Sequence, residues 1–162
     1  MQIRPSDTSI AAMTAPRAES IIVVVCNLTI LAALVLGVGI PNHMVLRHVV
    51  QTLPAWAVVI LATRRAHVAG WIGLPVFAFW LVLMLQIWLY LFGLLHLLSG
   101  NFTTWEIAMT IIVGVTSVIG IATSIRFRSS LSRTSKVAVF VALVVVQFLC
   151  LRVSFLPAIA HR

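Results

Sequence analysis

The chain has 162 residues, 62% hydrophobic and only 9% charged, with a formal net charge of +8. A soluble domain carries about 25% charged residues, so a mean hydropathy of +1.15 leaves no room for one beside the apolar segments. The basic residues stand between apolar runs rather than along one polar face. That spacing excludes the footprint of a nucleic-acid binder and matches the orientation signal of membrane proteins.

Residues 1–19 are polar and without periodicity, and are expected to form a disordered cytoplasmic tail, with Met13 as an alternative start to Met1. An apolar run then extends from Ser20 to Ile40 and closes on Gly37-Val38-Gly39-Ile40-Pro41. A secretory signal has an apolar core of about 7–15 residues and a small-x-small cleavage site, so this longer run reads as an uncleaved span. Residues 42–63 form the second expected span, ending at Arg64-Arg65. The third covers residues 74–99, with Gly70 and Gly73 leading in and Gly100-Asn101 as the turn after it. It exceeds what about 30 Å of hydrocarbon requires at about 1.5 Å per residue, so tilt or protrusion is expected. The fourth covers residues 104–125 and the fifth residues 136–156, before Pro157.

The expected architecture is therefore an all-α integral membrane protein. Five transmembrane helices with short loops form one bundle over residues 20–156, followed by a short external tail, 157–162. With the N-terminus cytoplasmic and the C-terminus outside, Arg4, Arg17, Arg64, Arg65, Arg126, Arg128, Arg133 and Lys136 all fall on the inner side. Only Arg47, Arg152 and Arg162 remain outside. This bias is the positive-inside rule, and it disappears if the second segment does not cross. The expected location is a bacterial inner membrane. Trp71 and Trp105 stand at span ends, as an interfacial aromatic belt requires.

The second segment opens with an unusual density of polar groups, "PNHMVLRHVVQTLP". At about 100° per residue, His43, Arg47, Gln51, His48 and Thr52 share one half of a helix, and Val45, Val49, Leu53, Leu46 and Val50 the other. The polar half is expected to face the bundle or a water-filled pocket, because an arginine at a helix centre costs about 2.5–3.5 kcal/mol on insertion scales. Snorkelling of Arg47 and Arg152 to phosphate headgroups is the competing expectation. Pro54 is a candidate hinge below this wedge, and Pro75 is expected to bend or begin a helix.

The chain has 3 acidic residues, Asp7, Glu19 and Glu106. The first two belong to the tail, so Glu106 is the sole side-chain carboxylate able to neutralise Arg47 or Arg152. The resulting positive surplus suits an anion, and lipid phosphate is the cheapest source. His43, His48, Arg47, Gln51, Glu106 and Arg152 thus form a candidate outer site for an anion or lipid headgroup.

His48 and His96, at comparable depth in neighbouring segments, are the minimum for axial haem ligation, and imidazole equally suits zinc or copper. No cofactor is required by any other feature, so haem or a metal ion stands as the alternative. Gln86 and Tyr90 are expected to hydrogen-bond between helices. Gly114, Thr116, Gly120 and Ser124, with Thr110, place small residues at helical spacing and let backbones approach closely. Cys26 and Cys150 lie in apolar runs as small hydrophobes.

The sequence has no P-loop, no G-x-G-x-x-G, no H-E-x-x-H, no G-x-S-x-G and no carboxylate pair. The expected function is non-catalytic: an accessory subunit or a lipid- or anion-binding protein. Its expected partners are the bilayer and either a larger membrane complex or a second copy. A component of a small-anion transporter or channel, and a haem-binding redox protein, are the alternatives.

Overall fold

Thr103-Thr104-Trp105-Glu106 is a capping box, the signature of a helix start. The Thr103 hydroxyl accepts from the Glu106 N–H at 3.2 Å, and the Glu106 carboxylate accepts from the Thr103 N–H at 2.8 Å. The helix it opens is one of several in a computed structural model that describes residues 18–64, 69–95, 101–126 and 131–160. Among these residues every regular element is helical. In chain order they are α1 (Ala18–Leu31) with a π-helical continuation (Ala32–Gly39), α2 (Val45–Gln51), α3 (Leu53–Arg64), α4 (Ala69–Leu91), α5 (Thr104–Arg126), α6 (Arg133–Ser154) and α7 (Pro157–Ala160).

Among the described residues 4 helices are long and apolar enough to cross a membrane, or 5 if the bent pair α2–α3 is one span. The bend falls at the candidate hinge, beside Pro54, and divides the second segment into two helices. It measures 53° and falls at Thr52, just ahead of Pro54. The physical cause is local. Pro54 has no N–H to offer the Val50 carbonyl, and its ring disfavours helical geometry at the residue before it. The Thr52 hydroxyl donates to the His48 carbonyl at 2.8 Å, so the interrupted turn keeps a bonded acceptor.

The third apolar run brings a correction, because the helix ends at Leu91 rather than Ser99. Gly93 adopts φ 71, the left-handed conformation that glycine takes at least cost. The Gly93 N–H then donates to the Tyr90 carbonyl and the Leu94 N–H to the Leu89 carbonyl, both at 2.9 Å. This is a Schellman stop. It shortens the apolar helix to Gly70–Leu91, 22 residues, which at about 1.5 Å each nearly matches the hydrocarbon thickness. Pro75 lies inside α4.

The core forms where α1, α3, α4 and α5 converge, with Val23, Ile30, Val58, Val76, Phe77 and Val113 fully buried. α4 and α5 make the most extensive pair. Gly120 allows it: a Cβ there would stand 2.7 Å from the Phe77 ring. Gly114 does the same under Trp88, whose indole donates to the Thr110 hydroxyl at 2.9 Å. Ser124 is buried, whereas Thr116 is half-buried and its neighbour Ser117 takes the interior position. Helix α6 lies at the periphery, with 11% of its apolar window buried against 39–44% in the other long helices.

Side-chain bonds to backbone mark the two ends of the bundle. At one end the Trp71 indole donates to the Lys136 carbonyl at 2.7 Å, tying together the starts of α4 and α6. At the other, the Trp105 indole donates to the Gly37 carbonyl at 2.6 Å, holding the start of α5 against the π-helical segment. Both tryptophans therefore tie helices together at the positions where an aromatic belt was expected.

Candidate functional site

The end of the bundle marked by Trp105 encloses a cavity of about 650 Å³, within the size range of small-ligand pockets. Its apolar wall comes from Leu34 and Val38 of the π-helical segment, Leu83 and Met84 of α4, Met109 of α5 and Leu151 of α6. Its polar wall comes from Asn42, Arg47, His48, Gln51, Gln86 and Glu106. Single-turn π distortions recur at functional sites, and here the segment lines the cavity.

Each polar side chain is held by a different local device. Pro41 closes the π-helical segment, and the turn that follows brings the Asn42 amide to the Val38 carbonyl at 3.0 Å and to Glu106 Oε1 at 2.9 Å. The other Glu106 oxygen accepts from the Thr103 N–H and hydroxyl at 2.8 and 2.9 Å. The capping box thus orients the carboxylate as well as starting the helix. His48 is buried, with Nδ1 2.8 Å from the Met44 carbonyl, and it lines the cavity together with Arg47 and Glu106.

Below it, the buried Gln51 amide donates to the Ser154 hydroxyl at 3.0 Å, which donates onward to the Leu151 carbonyl at 2.6 Å. The Gln147 amide donates to the Gln51 carbonyl at 3.0 Å. That carbonyl sits at the bend of α2–α3.

Arg47 is half-buried, its guanidinium centre 4.3 Å above the Phe155 ring and its Nη1 3.5 Å from Met44 Sδ. A cation over an aromatic face is attracted by the ring quadrupole, but this contact leaves its charge unneutralised. Its buried Nε has no hydrogen-bond partner among the described residues, and no ion pair joins Arg47 to Glu106. Trp80 lines the same cavity, and its indole N–H is buried with no hydrogen-bond partner among the described residues. The site therefore sets an unneutralised guanidinium beside an apolar chamber.

Of the residues named from sequence, Arg47, His48, Gln51 and Glu106 share this cavity. His43 does not. It is exposed in the turn before α2, with φ 54, because the helix begins at Val45 rather than at the proline. Arg152 is also exposed and faces a separate shallow depression with Val153, Phe155 and Leu156. Its position on α6 turns it from the cavity that Leu151 lines.

On the apolar half of the wheel, Val45 and Leu53 are exposed and Val49 is half-buried. Gln86 lines the cavity, while the Tyr90 ring lies 6.0 Å from that of Phe102. His96 lies outside the described residues, and so does any pairing of it with His48. No group of three or more His, Cys, Asp or Glu suited to a metal ion occurs among the described residues.

Asn42, Trp80, Gln147 and Ser154 were not singled out from sequence. Gln147 carried a signal, since an amide inside an apolar span faces protein or water rather than lipid. Trp80 carried none, because its environment depends on the α4–α5 packing. Protein-family models, curated proteins and solved structures show no match to this chain.

Proposed function

We propose that this chain is a non-catalytic integral membrane protein of a bacterial inner membrane whose cavity binds the phosphate of a lipid headgroup. The observation that carries this reading is Arg47, a half-buried guanidinium on the wall of a cavity of about 650 Å³ with no carboxylate paired to it. A guanidinium binds phosphate through parallel N–H donors. The apolar lining from Leu34, Leu83, Met84 and Met109 suits an acyl chain beside the headgroup.

The proposed orientation has the N-terminus cytoplasmic and the cavity in the outer leaflet. Two ties support alternation of the helices: Trp71 to Lys136 at one end, and Asn42 to Glu106 at the other. The end marked by Lys136 is the one toward which Arg64, Arg126 and Arg133 fall in sequence, as the positive-inside rule expects.

The test is lipid analysis of the protein purified in mild detergent. Wild type is expected to retain phospholipid through extensive washing. Arg47→Ala should lose it, and Arg47→Lys should keep part, since an ammonium retains charge without the paired donors. Equal phospholipid retention by wild type and Arg47→Ala would refute the reading.

A further inference from the structure

Arg47 is not the only charge on the cavity wall. Glu106 lines it too, and the two are not joined to each other. A simple anion site would have no use for a carboxylate, which would repel the ligand. Here the carboxylate is built in. Asn42 holds one oxygen, while the backbone N–H and hydroxyl of Thr103 hold the other. These three donors hold the carboxylate in a fixed orientation. Each carboxylate oxygen accepts at about two sites, so Oε2 is filled by Thr103 while Oε1, bonded to Asn42 alone, retains capacity for a further donor. Arg47 and Glu106 line one chamber together with the buried His48.

Resting on the lipid-phosphate reading above, we infer that the cavity selects a zwitterionic phosphoethanolamine group, with its phosphate on Arg47 and its primary ammonium on Glu106. A primary ammonium has three N–H donors for the carboxylate and for the side-chain oxygens of Gln86 and Asn101, which line the same cavity. A trimethylammonium has none. A glycerol headgroup brings hydroxyls but no charge to answer Glu106.

The experiment is native mass spectrometry of the full-length protein in dodecyl maltoside, titrated with dioctanoyl phosphatidylethanolamine, phosphatidylglycerol or phosphatidylcholine. The expected result is retention of the ethanolamine lipid about tenfold above the other two, equivalent to about 1.4 kcal/mol. Glu106→Gln should weaken the ethanolamine lipid and strengthen the glycerol lipid, collapsing the preference toward one. Glutamine also serves at this position of a capping box, so the helix start survives the substitution. Free phosphoethanolamine distinguishes the source. Displacement by the lipid alone assigns the group to a membrane lipid, displacement by both admits a soluble ligand, and either supports the headgroup chemistry.

Equal retention of ethanolamine and glycerol lipids by wild type would overturn the inference, as would an unchanged preference in Glu106→Gln. If Arg47→Ala still lowers every lipid in that case, the phosphate reading stands without it. If Arg47→Ala lowers none, both fall.

Discussion

Gln147 of α6 donates its side-chain amide to the Gln51 backbone carbonyl at 3.0 Å, at the point where α2 meets α3. The acceptor is a carbonyl exposed by the bend, and the donor comes from the otherwise least buried long helix. An interhelical bond of this kind contributes about 0.6 kcal/mol on average in membrane proteins, with model peptides giving about 1–2. Gln147→Met keeps the length of the side chain and removes the donor. It is expected to lower the thermal midpoint in detergent by a few degrees, whereas Val145→Met on the exposed face should leave it within error. A midpoint unchanged by Gln147→Met would show that the bond does not stabilise the docking of α6.

The bend itself traces to Pro54. Pro54→Ala restores an N–H for the Val50 carbonyl and removes the ring clash. Spin labels at Val45 and Leu61, both exposed, should then move apart as the 53° angle opens. The measurement is the distance distribution from pulsed dipolar spectroscopy. An identical distribution in both proteins would place the cause of the bend in tertiary contacts instead.

Small residues on α5 are expected to serve packing within one chain. A Cβ at Gly120 would meet the Phe77 ring at 2.7 Å, and overpacking of this kind costs about 1–3 kcal/mol. Gly120→Ala should lower thermal stability without changing the oligomeric state, while Thr116→Ala should be nearly silent. Light scattering of the detergent-solubilised protein checks the second half. Loss of an oligomer on Gly120→Ala, at unchanged thermal midpoint, would reassign that face to self-association.

The proposed orientation predicts that alkaline phosphatase fused after Arg162 is active and that a fusion within residues 126–136 is not. The reverse pattern would move the cavity to the cytoplasmic leaflet, where the same headgroup chemistry would face a different pool of lipid.

Apolar run length and the positions of the basic residues were enough to read an all-helical chain with several membrane-length segments, because both properties are local and additive along the chain. Helical periodicity also placed Arg47, His48 and Gln51 on one face, and charge counting singled out Glu106; all line the same cavity. Periodicity could not show that His43 lies in a turn with positive φ, since a wheel assumes a helix that here starts only at Val45.

The stop at Gly93 was written in one residue, but an apolar continuation to Ser99 masked it. Whether Arg47 would meet Glu106 or leave it unpaired was a question of tertiary structure. Asn42 and Thr103 occupy the carboxylate instead, and Phe155 takes the face of the guanidinium. Only the meeting of the π-helical segment, α2, α4, α5 and α6 could decide that, because those partners lie far apart in the chain and a net charge balance carries no geometry.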